Sequence, residues 1–276
     1  MIDTILKQGR LIYAFAIAAF GIENLVCAHA AQPMLPVIPW VPGIPLLGYV
    51  TGLLLLAAGV CIAANWKARP AALLLGILFL VCVIALQISK VAAAPFDVGQ
   101  RTVAFETLTM CGAALMLAGT LPAEKFQSHG WDAAESALIE SGRYLFGVSA
   151  IVFGIDHFLV IPVIVSLVPK WIPGSGLFWT WLTALVFIAA GLSIVTGRMA
   201  RWGGLIMGLM FLGWVLVLHG PRVATFPRSH NPNEWSSALI ALGVCGGSWI
   251  AARAISPAAS RVALGPVPVP AQRLSS

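Results

Sequence analysis

Residues 9–24 read GRLIYAFAIAAFGIEN, and residues 142–157 read GRYLFGVSAIVFGIDH. Each stretch opens on Gly-Arg, runs uncharged through an apolar segment, and closes on Phe-Gly-Ile followed by an acid. The offset between them is 133 residues. Trp40-Val41-Pro42-Gly43 matches Trp171-Ile172-Pro173-Gly174 at offset 131, and Ala68-Arg69 matches Ala200-Arg201 at offset 132. In that register Gly76, Phe79 and Leu86 match Gly208, Phe211 and Leu218. Hydrophobicity alone reproduces apolar runs. It does not reproduce shared glycines, prolines and a tryptophan at near-constant spacing, so the sequence reads as an internal duplication.

The chain has 276 residues, 59% hydrophobic and 9% charged, with a mean hydropathy of +0.93. A soluble domain carries about 25% charge, and disorder needs low hydrophobicity with high charge; both classes are excluded. The net charge of +6, from 16 basic and 10 acidic residues, then reads as membrane topology rather than nucleic-acid binding. A spanning helix needs about 20 mostly apolar residues. Eight stretches qualify: Leu11–Ala28, Leu46–Asn65, Ala68–Ser89, Thr102–Gly119, Tyr144–Ile161, Leu177–Thr196, Trp202–His219 and Glu234–Ala252. No formal charge falls between Arg69 and Lys90, between Lys170 and Arg198, or between Arg201 and Arg222.

Lys and Arg divide unevenly between the two ends of these spans. Lys7, Arg10, Lys67, Arg69, Lys125, Arg143, Arg198, Arg201, Arg253, Arg261 and Arg273 lie on one side, and Lys90, Arg101, Lys170, Arg222 and Arg228 on the other. This asymmetry of 11 to 5 places both termini in the cytoplasm. Four helices per duplicated unit make the units parallel, related by an axis along the membrane normal. The expected fold is therefore all-α and polytopic: eight transmembrane helices as two parallel four-helix-bundle repeats. Residues 1–119 form the first unit, 120–141 a cytoplasmic linker, 142–255 the second unit, and 256–276 a flexible, proline-containing cytoplasmic tail. Pro33, Pro36, Pro39, Pro42 and Pro45, three apart, would share one face of a polyproline helix in the first outer loop.

The five cysteines, Cys27, Cys61, Cys82, Cys111 and Cys245, sit in or beside apolar runs without a Cys-x-x-Cys pair, so they read as small core residues. Lys7 and Arg10 precede an apolar stretch with no small-residue cleavage site after it, which reads as a first membrane helix rather than a signal peptide. Phosphate loops, dinucleotide fingerprints and HExxH are absent from the sequence.

The second unit carries Gly142-Arg143, Phe153-Gly154-Ile155-Asp156-His157-Phe158, Leu167-Val168-Pro169-Lys170-Trp171-Ile172-Pro173-Gly174 and Asn231-Pro232-Asn233-Glu234-Trp235. At these residues the chain resembles the DoxX-like family of bacterial integral membrane proteins, as two fused DoxX-type four-helix units over about residues 9–255. The resemblance implies a bacterial inner-membrane location. It also implies a redox accessory, since some relatives are linked to thiosulfate–quinone oxidoreduction or to membrane oxidoreductase complexes. It carries over no catalytic residue.

Ionisable groups inside a membrane are costly and mark functional positions. Glu23 lies thirteen residues beyond Arg10, about 20 Å along a helix, in the outer half. Two candidate ligand pockets follow. One gathers Glu23, Asn24, Gln87, Arg101 and Glu106; the other Asp156, His157, His219, Arg222 and Glu234, with His230 nearby. Histidine beside carboxylates can relay protons to a quinone or ligate a metal. The competing reading is a buried hydrogen-bond and salt-bridge network that only holds helices together, with Arg101 or Arg222 neutralising the acids. No metal centre is assigned. A bis-histidine haem from His157 and His219 is a lesser alternative, and the Cys-x-x-Cys-His haem signature is absent. Glu234 also fits a helix start at Asn231-Pro232-Asn233-Glu234, and His219 a helix C-terminus. Asp156 and His157, about 100° apart on a helix, need not share a face.

Three functions are compatible: a redox-linked, quinone-associated membrane subunit; a small-solute or proton-coupled transporter; and a structural or assembly partner of another membrane protein. Lipid and a redox or other membrane protein are the expected partners, with no nucleic acid. The charge asymmetry yields a direct expectation. A cysteine placed at Ser276 should escape a membrane-impermeant thiol reagent in whole cells, and strong labelling there would reverse the topology.

Overall fold

The computed structural model describes residues 2–27, 44–122, 131–225 and 233–255. The proline-rich loop, Trp40, residues 123–130, Arg228, His230, Asn231-Pro232 and the tail lie outside the described residues. The elements are α1 (Ile2–Lys7), α2 (Gly9–Cys27), α3 (Ile44–Ala63), α4 (Ala68–Cys82), α5 (Ile88–Ala93), α6 (Val98–Thr120), α7 (Trp131–Leu159), α8 (Ile161–Leu167), α9 (Gly176–Thr196), α10 (Ala200–Trp214), α11 (Gly220–Thr225) and α12 (Asn233–Ala254). No strand occurs among the described residues. Helices are what lipid requires, because each backbone polar group must be satisfied within its own segment.

Seven helices are long and apolar enough to cross a membrane: Ile2–Val26, Ala68–Ala93, Val98–Thr120, Ala133–Leu159, Gly176–Thr196, Ala200–Thr225 and Glu234–Ala254. The expected second span is represented by α3, whose apolar stretch Gly48–Ala63 is shorter. The chain is a multi-pass membrane protein, and its flanks show it. Phe15 is 63% exposed and Leu216 67% exposed, with Ile77, Ile84 and Leu185 also outward. These are positions that acyl chains cover.

Several boundaries differ from those expected. Residues 131–141 are not loop but the first turns of α7. Ala, Glu and Leu favour helix there, Leu138 and Ile139 pack on the core, and Glu135 pairs with Arg69 at 2.6 Å. The fourth span begins at Val98 rather than Thr102, because Asp97 caps it by accepting from the Gln100 amide at 3.1 Å. Two spans contain a π-helical turn that periodicity did not signal, Val83–Gln87 after α4 and Val215–His219 after α10. The turns into α4 and α10 each carry a left-handed residue, Lys67 at φ 49° and Met199 at φ 55°.

Successive long helices pack on one another from α2 round to α12, and α12 closes on α2. The two centremost helices, α6 and α12, also pack together. The first long helix of each half therefore lies against the last helix of the other half. Between α6 and α7 the backbones touch. A Cβ on Gly112 would stand 2.6 Å from the Gly142 carbonyl oxygen and 2.8 Å from the Phe146 amide nitrogen. Between α12 and α2, a Cβ on Gly246 would stand 2.8 Å from the Gly9 carbonyl oxygen and 2.5 Å from the Tyr13 amide nitrogen. Tyr13 also donates to the Met110 carbonyl at 2.8 Å, joining α2 to α6.

Contacts fix which helix ends lie together. Arg201 binds Asp3 at 2.7 Å, Arg69 binds Glu135, Arg10 binds Asn65, and Ile255 lies beside Gly197 and Arg143. Both ends of the described chain thus stand at one end of the bundle. Arg101, Asp156, Arg222 and Glu234 stand at the other.

The glycine contacts can be tested individually. Gly112→Ala and Gly246→Ala each drive a methyl group into backbone and should cost about 1–3 kcal/mol, lowering the melting temperature in detergent. Gly213 meets nothing within 4 Å, so Gly213→Ala should leave stability equal or raise it by about 0.5–1 kcal/mol. Indistinguishable melting of all three variants would refute the packing argument.

Candidate functional site

The polar residues of α6 and α7 follow helix periodicity. Val98, Thr102 and Glu106 recur every four residues on α6, and Phe153, Asp156, His157 and Val160 recur at three and four along α7. Each set forms one stripe, and the close approach at Gly112 brings the two stripes face to face. A cavity of about 170 Å³ lies between them. Ile164 on α8, Phe187 on α9, Phe211 on α10, and Ile240 and Val244 on α12 line the rest of it. Its size is comparable to the ~150 Å³ apolar cavity that accepts a benzene ring in another protein.

One wall is aromatic. The Phe187 ring centroid lies 5.7 Å from that of Phe153, 5.5 Å from Phe211 and 5.1 Å from the His157 imidazole. The other wall is polar. His157 places Nδ1 2.7 Å from the Phe153 carbonyl oxygen. That acceptor calls for a proton on Nδ1, so the neutral ring keeps its lone pair on Nε2. Asp156 is 4% exposed and ion-paired with Arg101, whose Nε donates at 2.9 Å. Arg101 also donates to the Pro95 carbonyl at 3.0 Å, while Asp156 Oδ2 has no hydrogen-bond partner among the described residues. Glu106 lines the cavity without a hydrogen bond or ion pair among the described residues. Starting the helix at Val98 puts Glu106 two turns inside it, so helix capping does not account for this carboxyl group.

This arrangement regroups the candidates read from sequence. Glu106 and Arg101, assigned to the first pocket, stand with Asp156 and His157, assigned to the second. His219, Arg222 and Glu234 do not line this cavity. His219 ends the π-helical turn after α10, and its Nδ1 has no partner among the described residues. Arg222 faces Glu234 at 3.5 Å. Glu23, Asn24 and Gln87 are buried away from the cavity. Glu23 accepts from Ser236 of α12 at 3.0 Å, and Gln87 donates to Thr107 at 2.8 Å. Glu23 and Gln87 each thereby link two helices. Asp156 and His157, adjacent in sequence, both reach the cavity. Thr102 and the three phenylalanines were not singled out from sequence. The four-residue spacing from Thr102 to Glu106 was the available signal for the first, but no local pattern announces which rings will meet.

No three His, Cys, Asp or Glu side chains group as a metal-ligand set among the described residues. The cavity can instead hold one flat ring against phenylalanine faces and offer carboxyl, imidazole and guanidinium-paired carboxylate groups to its polar substituents. No family model, curated protein or solved structure matches the chain.

The Arg101–Asp156 pair is open to a double-mutant cycle. Arg101→Gln strands a buried carboxylate and should cost about 3–5 kcal/mol. Adding Asp156→Asn should recover most of that loss. Additive destabilisation in the double variant would show that the two side chains do not depend on each other.

Proposed function

We propose that the chain is a quinone-associated membrane subunit, and that the cavity between α6, α7, α9, α10 and α12 receives the ring of a quinone or quinol. One observation carries this reading: three phenylalanines and the acceptor–carboxyl group of Glu106, Asp156 and His157 converge on a space the size of one ring. Apolar ring faces favour phenylalanine contacts, and each ring oxygen seeks a hydrogen-bond partner in a dry site. A quinone oxygen takes up a proton when the ring is reduced, with electrons delivered by a partner redox protein. Glu106 and the Nε2 of His157 are the groups placed to hold that proton, and Arg101 holds Asp156 in place beside them. The sequence resemblance to DoxX-type proteins supports the same reading.

The architecture proposed with it is eight spans in two parallel repeats, with both termini in the cytoplasm of a bacterial inner membrane. Support comes from contacts at matching offsets. Gly112 against Gly142 and Gly246 against Gly9 recur at offsets of 134 and 133 residues, and the two π-helical turns at 132. Both ends of the described chain at one end of the bundle agree with an even number of crossings. On the positive-inside rule the cavity then lies toward the outer face.

Binding of a short-chain ubiquinone analogue to the protein in nanodiscs tests the reading. Glu106→Gln and His157→Gln should each weaken binding about tenfold or more, as loss of a hydrogen bond in a dry site does. Their melting temperatures should stay near that of the parent chain. Absence of saturable binding to the folded parent protein would sink the proposal. Solute uptake into vesicles that is lost in the same variants would assign the cavity to transport instead.

A further inference from the structure

A second cavity, of about 260 Å³, opens at the same end of the bundle as the Arg101–Asp156 pair, between the turn after α8 and the end of the α10–α11 span. Its floor is apolar, with Val168, Val217 and Leu218, and its rim carries Lys170, Trp171 and Arg222. The hydroxyls in the lining are already committed: Ser166 donates to the Val163 carbonyl and Thr225 to the Pro221 carbonyl, each at 2.7 Å. The donors left for a ligand are the Lys170 ammonium, the Arg222 guanidinium and the Trp171 indole N–H.

Charge favours an anion there. Lys170 is exposed and has no ion pair or hydrogen bond among the described residues. Arg222 has one carboxylate opposite it, Glu234, at 3.5 Å, the outer limit of a hydrogen bond, and no other partner among the described residues. The lining thus carries two cations, and one acid faces one of them. A free inorganic anion would gain nothing from the apolar floor. An amphiphile would use both parts, with the anionic group on the rim and the start of its hydrocarbon on Val217 and Leu218. The position fits as well. Arg222 lies in the last turn of the span Ala200–Thr225, where headgroups meet water, and Trp171 is 67% exposed, as an interfacial anchor is.

We infer that this groove seats the phosphodiester headgroup of an anionic phospholipid, Lys170 and Arg222 holding the phosphate and Trp171 lying at the headgroup level. It is separate from the quinone cavity and does not depend on what that cavity binds.

Native mass spectrometry of the detergent-purified protein, titrated with dioleoyl phosphatidylglycerol, provides the test. Dioleoyl phosphatidylcholine supplies the same chains without net charge, and inorganic phosphate supplies the anion without chains. Phosphatidylglycerol should be retained in preference to phosphatidylcholine and should raise the melting temperature, while inorganic phosphate does neither. Lys170→Gln, on the surface, should fold normally and lower the preference about fivefold, the weight of one basic side chain near a membrane surface. Lys170→Gln with Arg222→Lys, which keeps a cation opposite Glu234, separates loss of the site from loss of the fold. It should bind no better than Lys170→Gln alone. Equal retention of the two lipids by the parent chain would overturn the inference, as would an undiminished preference in Lys170→Gln. Protection by inorganic phosphate in place of lipid would overturn it too, and assign the groove to a free anion.

Discussion

Backbone-to-backbone contact at two glycine pairs holds the arrangement together: Gly112 with Gly142, and Gly246 with Gly9. In a bilayer, burying leucine against leucine gives little advantage over leucine against lipid, so helices associate where small residues let their backbones meet. Here those contacts join α6 to α7, neighbours in sequence, and α12 to α2, its two extremes. Both α6 and α12 are thereby drawn to the middle, where Met110, Ala113 and Val244 are fully or almost fully buried.

The polar chemistry follows from that geometry. With α7 seated on α6, Asp156 comes within reach of Arg101, and the Thr102–Glu106 stripe faces the His157 stripe. With α2 seated on α12, Glu23 comes within reach of Ser236. The two outcomes differ in kind. Asp156 receives a cation and stands beside open space. Glu23 receives a hydroxyl, with Asn24 and Thr107 fully buried and Gln87 nearly so. A histidine at 157, where 24 is asparagine, and Phe187 and Phe211 along one wall meet Thr102 and Glu106 of α6 across a ring-sized void lined by both aromatic and acidic groups.

The opposite end of the bundle is organised by charge. Arg69 with Glu135 and Arg201 with Asp3 tie helix starts to one another, while Arg143 pairs with Glu140 within α7. The most exposed of these pairs, Arg201 with Asp3, is of a type worth little. Their basic members are the same residues that bias the topology. At the cavity end, basic residues are fewer among the described residues, with Arg101 held by a buried acid and Lys170 facing none.

Much of the fold was legible from residue order. Apolar length located the spans, since a bilayer's thickness fixes how long a helix must be. The likeness of residues 9–24 to residues 142–157 pointed to an internal correspondence, and the acids at Glu23 and Asp156 were read as polar groups inside spanning helices. Sequence did not reveal that α7 begins at Trp131, because its charged first turns resemble a loop until Leu138 and Ile139 find the core. Nor did it reveal which helix would face which. A stripe of side chains records the direction a helix buries, not the partner it buries against. That choice rests on where two backbones can approach within contact distance. Tertiary packing therefore decided that Glu106 and Arg101 belong with Asp156 and His157, and that Arg222 and Glu234 belong elsewhere.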